Sequence, residues 1–273
     1  MAKNLDSEGL RSIIDNYDLF FIDLWGVIHN GIQLYPSAIN VLENLHKLNK
    51  RFVLMSNAPR PAKNVEQFLL KLKMQKFLIK NVFTSGEAAL KSLQKKSYGK
   101  YFYHLGPKRD NSLFKEFKKN QKKIEEADFI LCTGFLDDCS ESLEYYKNLL
   151  KKHTRLKMVC TNPDLVVNRG SKQEYCAGTL AEIFKKVGGK VIYFGKPYAE
   201  IYNFCIKENE KVLVIGDNIR TDIMGANNMN FDSLFITGGI HKIEFEKSQY
   251  QNYDKVLNKY GAKTNYYQEG LIW

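Results

Sequence analysis

Four runs of apolar, β-prone residues each end in a polar group suited to chemistry on an anionic substrate. The first is Phe20-Phe21-Ile22-Asp23-Leu24-Trp25-Gly26-Val27. An Asp directly after a buried strand, with Gly behind it for a tight turn, can offer its carboxylate to a ligand beside free backbone N–H groups. Alone it reads more readily as a turn residue. The second is Phe52-Val53-Leu54-Met55-Ser56-Asn57-Ala58-Pro59, whose hydroxyl and amide can bond an anionic oxygen just before a helix starts. Taken alone, ordinary N-capping explains it better. In Tyr193-Phe194-Gly195-Lys196-Pro197, a Lys wedged between Gly and Pro supplies a fixed point charge for a phosphate and an Asp. In Val212-Leu213-Val214-Ile215-Gly216-Asp217-Asn218-Ile219-Arg220-Thr221-Asp222, two carboxylates flank a loop that opens into a helix. Hard oxygen donors, few in number, suit Mg²⁺ when phosphate and water complete its shell. The set supplies a nucleophile, an anion cradle, a cation and a metal site, in that chain order.

Such groups converge only if the strands lie side by side, because ligands of an open parallel sheet gather beyond the strands' carboxyl ends. The predicted strands are 19–22, 52–55, 101–104, 129–132, 157–160, 191–194, 212–215 and 233–236. Most are apolar on both faces, as buried parallel strands are. Helical stretches alternate with them, which gives an α/β chain with a largely parallel sheet covered by helices. Ala38, Val41, Leu42, Leu45 and Leu48 follow helical spacing behind Ser37 as N-cap, and Thr84 with Glu87 reads as a capping box. Residues 60–72 and 141–152 read as amphipathic helices packed on the core. There is no internal repeat, low-complexity stretch or disordered linker.

The 273 residues suit one large or two modest domains, and 44% hydrophobic with 26% charged residues is a soluble, globular composition. The net charge of +11 raises the question of a nucleic-acid partner. It comes mostly from Lys scattered on helix faces, as in Lys71, Lys73 and Lys76, without the Arg-rich or aromatic-interleaved stripe such binding uses. No nucleic acid is therefore expected. Five cysteines (Cys132, Cys139, Cys160, Cys176, Cys205) without a Cys-x-x-Cys pair point to reduced thiols rather than disulfides or zinc. Residues 1–23 carry acids and no long apolar run, so neither a signal peptide nor a membrane span is expected and the cytoplasm is the default location.

The four segments together resemble the haloacid dehalogenase superfamily, whose motifs are a strand-end Asp, a Ser/Thr, a Lys and an acidic Gly-Asp-x-x-x-x-Asp loop. Gly216-Asp217-Asn218-x-x-Thr221-Asp222-Ile223, Ser56-Asn57 and Gly195-Lys196-Pro197 look like its class IIA branch of sugar-phosphate and nitrophenyl-phosphate phosphatases, within a subgroup whose first motif reads Asp-x-Trp-Gly-Val. The resemblance implies a Rossmann-like doubly wound parallel core, residues 1–88 and 191–273, with an inserted α/β cap at 89–190. It implies that Asp23 attacks phosphorus to form an aspartyl phosphate, that Ser56 and Asn57 bind phosphoryl oxygens, and that Lys196 neutralises the phosphate and aligns Asp23. Asp23, the Trp25 carbonyl and Asp217 would hold Mg²⁺, with Asp222 in support. Thr161-Asn162-Pro163-Asp164-Leu165 resembles a substrate loop in the cap, with Asn162 and Asp164 as its polar groups; a Pro-driven turn explains it as well. The implied substrate is a small phosphorylated metabolite, and relatives of this branch often pair through their caps.

One position departs from that pattern. Phosphatases of this superfamily carry a second Asp two residues after the nucleophile, as proton donor and then base. Here it is Trp25. An indole N–H can donate a hydrogen bond but cannot cycle a proton near neutral pH. Such help is worth ~10²–10⁴ in rate, and its loss matters little for aryl phosphates, acyl phosphates or anhydrides. Three readings follow: a hydrolase with a good leaving group or a borrowed acid, a slow phosphotransferase or phospho-switch, and a catalytically impaired binder of a phosphorylated metabolite. Asp23, Lys196, Asp217 and Asp222 weigh against the last. His29 is the nearby titratable candidate, although it reads more readily as a surface or hairpin histidine.

Overall fold

The computed structural model describes residues 2–138, 142–170, 172–247 and 253–273. Seven strands form one parallel sheet in the order Lys3–Asn4, Tyr266–Gln268, Asp232–Ile236, Val212–Gly216, Leu19–Asp23, Arg51–Ser56 and Val82–Thr84. Both faces are covered. Phe20 and Ile22 point into one apolar cluster with Val41, Leu42 and Leu45, while Leu19 and Phe21 point into another with Ile201 and Tyr202. That two-sided burial is why the central strands alternate poorly and read as continuous apolar runs.

A second parallel sheet runs in the order Lys190–Tyr193, Lys157–Cys160, Phe129–Cys132 and Phe102–Leu105. The helices Leu143–Lys151 and Ala177–Lys186 cover one face, with Tyr146, Leu150, Leu180 and Phe184 fully buried against it. Ala88, Ala89 and Leu93 of the helix Ser85–Gln94 pack on the other with Phe102, Phe129 and Val159. This unit lies between the two halves of the seven-stranded sheet in sequence and is its inserted cap. The strand Lys190–Tyr193, assigned from sequence mainly to the second core segment, hydrogen-bonds to Lys157–Cys160 instead. A two-stranded antiparallel hairpin, Val166–Arg169 with Lys172–Tyr175, projects from the cap.

Several local expectations need correction. The helix Pro36–Lys47 starts at Pro36, with Tyr35 as N-cap, so Ser37 lies inside it; the ring of Pro36 already fixes the φ that the first turn needs. Thr84 accepts the Glu87 N–H at 3.0 Å, but Glu87 does not return the bond and accepts from Ala62 N at 3.4 Å instead. Lys71, Lys73 and Lys76 are exposed, yet only Lys71 belongs to the helix Ala62–Lys71. Glu141 and Cys139 lie outside the described residues. Cys132, Cys160 and Cys176 are buried free thiols and Cys205 is a half-buried one. Among the described residues no helix is long and apolar enough to cross a membrane.

Candidate active site

From Leu19–Asp23 the sheet grows in one direction, towards Arg51–Ser56 and Val82–Thr84; from Val212–Gly216 it grows in the other. The two strands are neighbours, so the reversal of strand order falls between them, and a crevice forms beyond their carboxyl ends. Asp23 ends the first strand and Asp217 follows the second. Asp222 sits in the helical segment Ile219–Ile223, where its Oδ2 accepts the Asn218 N–H at 3.1 Å. Asp217 is pinned by the Ile240 N–H at 2.8 Å. One carboxylate oxygen from each of Asp23, Asp217 and Asp222 lies within 4.8 Å of the others, and all three residues are buried.

Lys196 supplies the only ammonium group among the buried charged residues described, and it is 3% exposed. Its Nζ donates to Asp23 Oδ1, to Asp222 Oδ1 at 2.7 Å and to the Met55 carbonyl at 3.4 Å. Burial opposes its charge, but Asp222 and Asp23 keep it protonated, well above the ordinary lysine range. Asn57 fixes the lysine backbone from both sides. Its Oδ1 accepts the Lys196 N–H at 2.8 Å, and its Nδ2 donates to the Lys196 carbonyl at 3.1 Å. Gly195 permits this approach, because its φ is +113° and a Cβ there would stand 2.5 Å from Asn57 Oδ1. The Lys196–Pro197 peptide is cis.

Three carboxylates against one ammonium leave the floor of the crevice underneutralised. Burial raises the Asp23 carboxyl to about 8, with Asp222 adding to the shift and Lys196 opposing it. Burial, Asp23 and Asp222 raise Asp217 well above the usual carboxylate range. Converging hard oxygen donors that hold protons for want of countercharge fit a divalent cation such as Mg²⁺, which would take the place of those protons. Gly26 makes room for the group: its φ is +84°, and a Cβ there would fall 2.0 Å from Asp217 Oδ2.

The remaining sequence-selected residues converge on the same place. Ser56, Asn57, Trp25, Asn162 and Asp164 all line a cavity of about 840 Å³ with Asp23, Lys196, Asp217 and Asp222. The hydroxyl of Ser56 accepts the Ala58 N–H at 3.2 Å. Asn162 accepts the Asp164 N–H at 3.0 Å, forming the local turn, while Asp164 Oδ1 accepts from Asn57 at 3.2 Å and so carries the cap loop to the floor. Burial lifts the Asp164 carboxyl to about 6 against the pull of Lys196.

Trp25 does something the sequence did not disclose. Its Nε1 donates to the Asn168 carbonyl at 2.7 Å, and the Arg169 guanidinium lies 5.1 Å from its ring centroid. His29 is not a surface group. It is 2% exposed, stacks edge-on against Trp25 and Phe68, and accepts the Gly31 N–H on Nδ1 at 3.0 Å. Burial, aided by Arg169, lowers it to about 4 and keeps it neutral. Two further pairs went unread in the sequence. The Gly170 N–H donates to the Asn30 carbonyl at 3.2 Å, and Arg60 Nε lies 2.9 Å from the buried Asp110 carboxylate. The hairpin had a signal, β-prone and polar residues around Arg169-Gly170-Ser171; nothing local marked Arg60 or Asp110.

A haloacid dehalogenase-like hydrolase model matches residues 20–119, and a HAD-hydrolase-like model matches residues 193–262. A solved hydrolase of the haloacid dehalogenase-like family from Brucella suis 1330 superposes with a TM-score of 0.80 at 31% identity, covering 86% of this chain and 90% of that one. The chain belongs to the haloacid dehalogenase-like hydrolase family. The 4-nitrophenylphosphatase of Thermotoga maritima shares the fold at TM-score 0.71 and 21% identity, over 95% of this chain and 96% of that one. Among curated relatives, the ribonucleotide monophosphatase NagD of Escherichia coli K12 is 22% identical over 234 residues, 81% of this chain and 88% of the relative.

Proposed function

We propose that this protein is a Mg²⁺-dependent phosphohydrolase of the class IIA type, acting through an aspartyl phosphate on a small phosphorylated metabolite with a good leaving group. The observation that carries the reading is the Lys196 ammonium held between Asp23 and Asp222, with Asp217 beside them at the switch point of the sheet. Relatives named as phosphatases support the same reaction type.

In this reading Asp23 is the nucleophile: one carboxylate oxygen bonds to phosphorus as the ester or anhydride bond breaks, and the leaving oxygen takes the electron pair. Lys196 aligns that carboxylate and neutralises the incoming phosphoryl oxygens, which the Ser56 hydroxyl also bonds; the Asn57 side chain, expected to bond them too, instead gives its amide to the Lys196 carbonyl and Asp164 and holds that lysine in place. Asp217, Asp23, Asp222 and the Trp25 carbonyl would hold Mg²⁺, whose positive charge offsets repulsion between nucleophile and phosphate. Water then attacks the phosphorus of the aspartyl phosphate, which releases inorganic phosphate and restores the carboxylate. Trp25 donates its N–H to a backbone carbonyl and has no proton to give the leaving group. Alkoxides therefore leave poorly, while aryl and acyl phosphates leave unaided. We place the enzyme in the cytoplasm as a pair joined through its caps.

A second reading, a slow phosphotransferase or phospho-switch, draws on the same residue. With Trp25 in place of a base and His29 neutral with Nδ1 occupied, little in the site activates water. Incubation with acetyl phosphate, 4-nitrophenyl phosphate and alkyl phosphates, with and without Mg²⁺, separates the two. Magnesium-dependent turnover confined to the labile phosphates supports the hydrolase. Accumulation of an acid-stable, hydroxylamine-sensitive phosphoprotein without turnover supports the switch. Absence of both, with binding unchanged in Asp23→Asn, would leave only a binder.

A further inference from the structure

The site cavity is electrically polarised. Its floor carries Asp23, Asp164, Asp217 and Asp222 with Lys196, a surplus of carboxylates that a divalent cation and a phosphoryl group would occupy. The rest of its lining carries five cations, Arg60, Arg109, Arg169, Lys172 and Lys242, against the carboxylates of Asp110, Asp137 and Glu174. Phosphoryl chemistry on the floor does not require these guanidinium groups, and five cations against three carboxylates leave an excess of positive charge for an entering anion to neutralise.

The arginines come from three separate segments. Arg60 follows the Ser56-Asn57 strand end and pairs with Asp110 of the cap at 2.9 Å. Arg109 precedes that aspartate and is exposed. Arg169 comes from the cap hairpin, where its cation rests 5.1 Å from the Trp25 ring centroid and Nε donates to Glu174 at 3.2 Å. Burial lowers the Arg60 pKa below the ordinary arginine value; Asp110 opposes the shift, and Arg109 and Arg169, both within electrostatic range, add to it. Trp25 is thus the seat of a cation at the position where the family pattern has an acid.

We infer that the substrate's leaving group bears a second anionic group, a carboxylate or a further phosphate, and that Arg169, seated on Trp25, is the residue that selects it. This inference rests on the hydrolase reading above and narrows it. A guanidinium can bond such a group in a bidentate fork and favour departure of a negatively charged leaving group without a proton. Trp25 acts through Arg169 and Asn168 and is a positioning residue.

The test compares 4-carboxyphenyl phosphate with its neutral near-isostere, 4-carbamoylphenyl phosphate, in the full chain with Mg²⁺ at low salt. The expected kcat/KM favours the carboxylate by about tenfold or more, as a charge-assisted contact implies. Arg169→Met should bring that ratio close to one, and Arg169→Lys should retain part of it. Because the two esters are compared within one protein, general loosening of the hairpin drops out. Equal turnover of both esters in the unaltered chain overturns the inference and leaves the hydrolase intact. If neither ester turns over, the hydrolase reading fails, and calorimetry of both esters on Asp23→Asn with Mg²⁺ decides separately. Tighter binding of the carboxylate upholds an anion-selective rim, and equal affinities overturn it.

Discussion

The indole N–H of Trp25 and the carbonyl of Asn168, 143 residues apart in sequence, are joined by a 2.7 Å hydrogen bond that fastens the cap hairpin to the turn after the strand Leu19–Asp23. Together with the Gly170 N–H on the Asn30 carbonyl, it holds the cap over the site. The residue that interrupts the expected acid–base pair is therefore a clasp, and substitutions there change two things at once.

Trp25→Asp should raise hydrolysis of an alkyl phosphate relative to 4-nitrophenyl phosphate, by up to ~10², because a carboxyl can protonate an alkoxide. Loss of the clasp lowers both rates and cancels in their ratio. Steady-state kinetics on the two substrates reads this directly, and an unchanged ratio sinks the account of the missing acid. Trp25→Phe keeps an aromatic seat without the donor, so it should free the hairpin at a cost of about 0.5–1.5 kcal/mol, seen as faster amide exchange at Gly170.

Lys196→Met should abolish turnover of all phosphates and also destabilise the fold. Asp23 and Asp222 would lose their shared partner while staying buried, and breaking a buried pair this way costs about 3–5 kcal/mol. Denaturant melts should show the loss at pH 7 and recover part of it with Mg²⁺. A variant of unaltered stability would mean that the contacts of this lysine with Asp23 and Asp222 contribute nothing to the fold.

The metal-free protein should lose stability as pH rises from about 6.5 to 8. Asp23, raised to about 8, and Asp217, raised well above the usual carboxylate range, bind protons in the folded state that the unfolded chain has already released. Stability then falls with pH. Below about 6.5 the buried His29 and His104, both lowered to about 4, contribute the opposite slope, so the window must be read above their unfolded pKa. Mg²⁺ should flatten the decline by taking the place of those protons. Calorimetric melts at three pH values, with EDTA or Mg²⁺, measure it; a slope indifferent to the metal would count against a carboxylate metal site.

Gly26→Ala should disable the site from the backbone. The left-handed φ of +84° strains any Cβ by about 1–3 kcal/mol, and that Cβ would collide with Asp217 Oδ2. The expected outcome is loss of Mg²⁺-dependent stabilisation together with activity. Retention of both would show that the turn can relax without moving Asp217.

The sequence by itself determined the strands and the residues that end them. A strand buried on both faces must be apolar throughout, so Leu19–Asp23 and Val212–Gly216 were legible as strands, and Asp23, Lys196 and Asp217 stood out as polar groups at their exits. The short strand Val82–Thr84 gave too little pattern to read, and the boundary at Lys190–Tyr193 depended on which sheet that strand joined. What only the tertiary structure decided were contacts between distant segments: Trp25 on Asn168, Arg169 over Trp25, Arg60 against Asp110, and the burial of His29. The first three depend on how the cap settles on the core, which no local pattern encodes, because a side chain's partner across 50 to 150 residues is chosen by packing and charge once both surfaces exist; His29 is buried by the packing of Trp25 and Phe68 within the core.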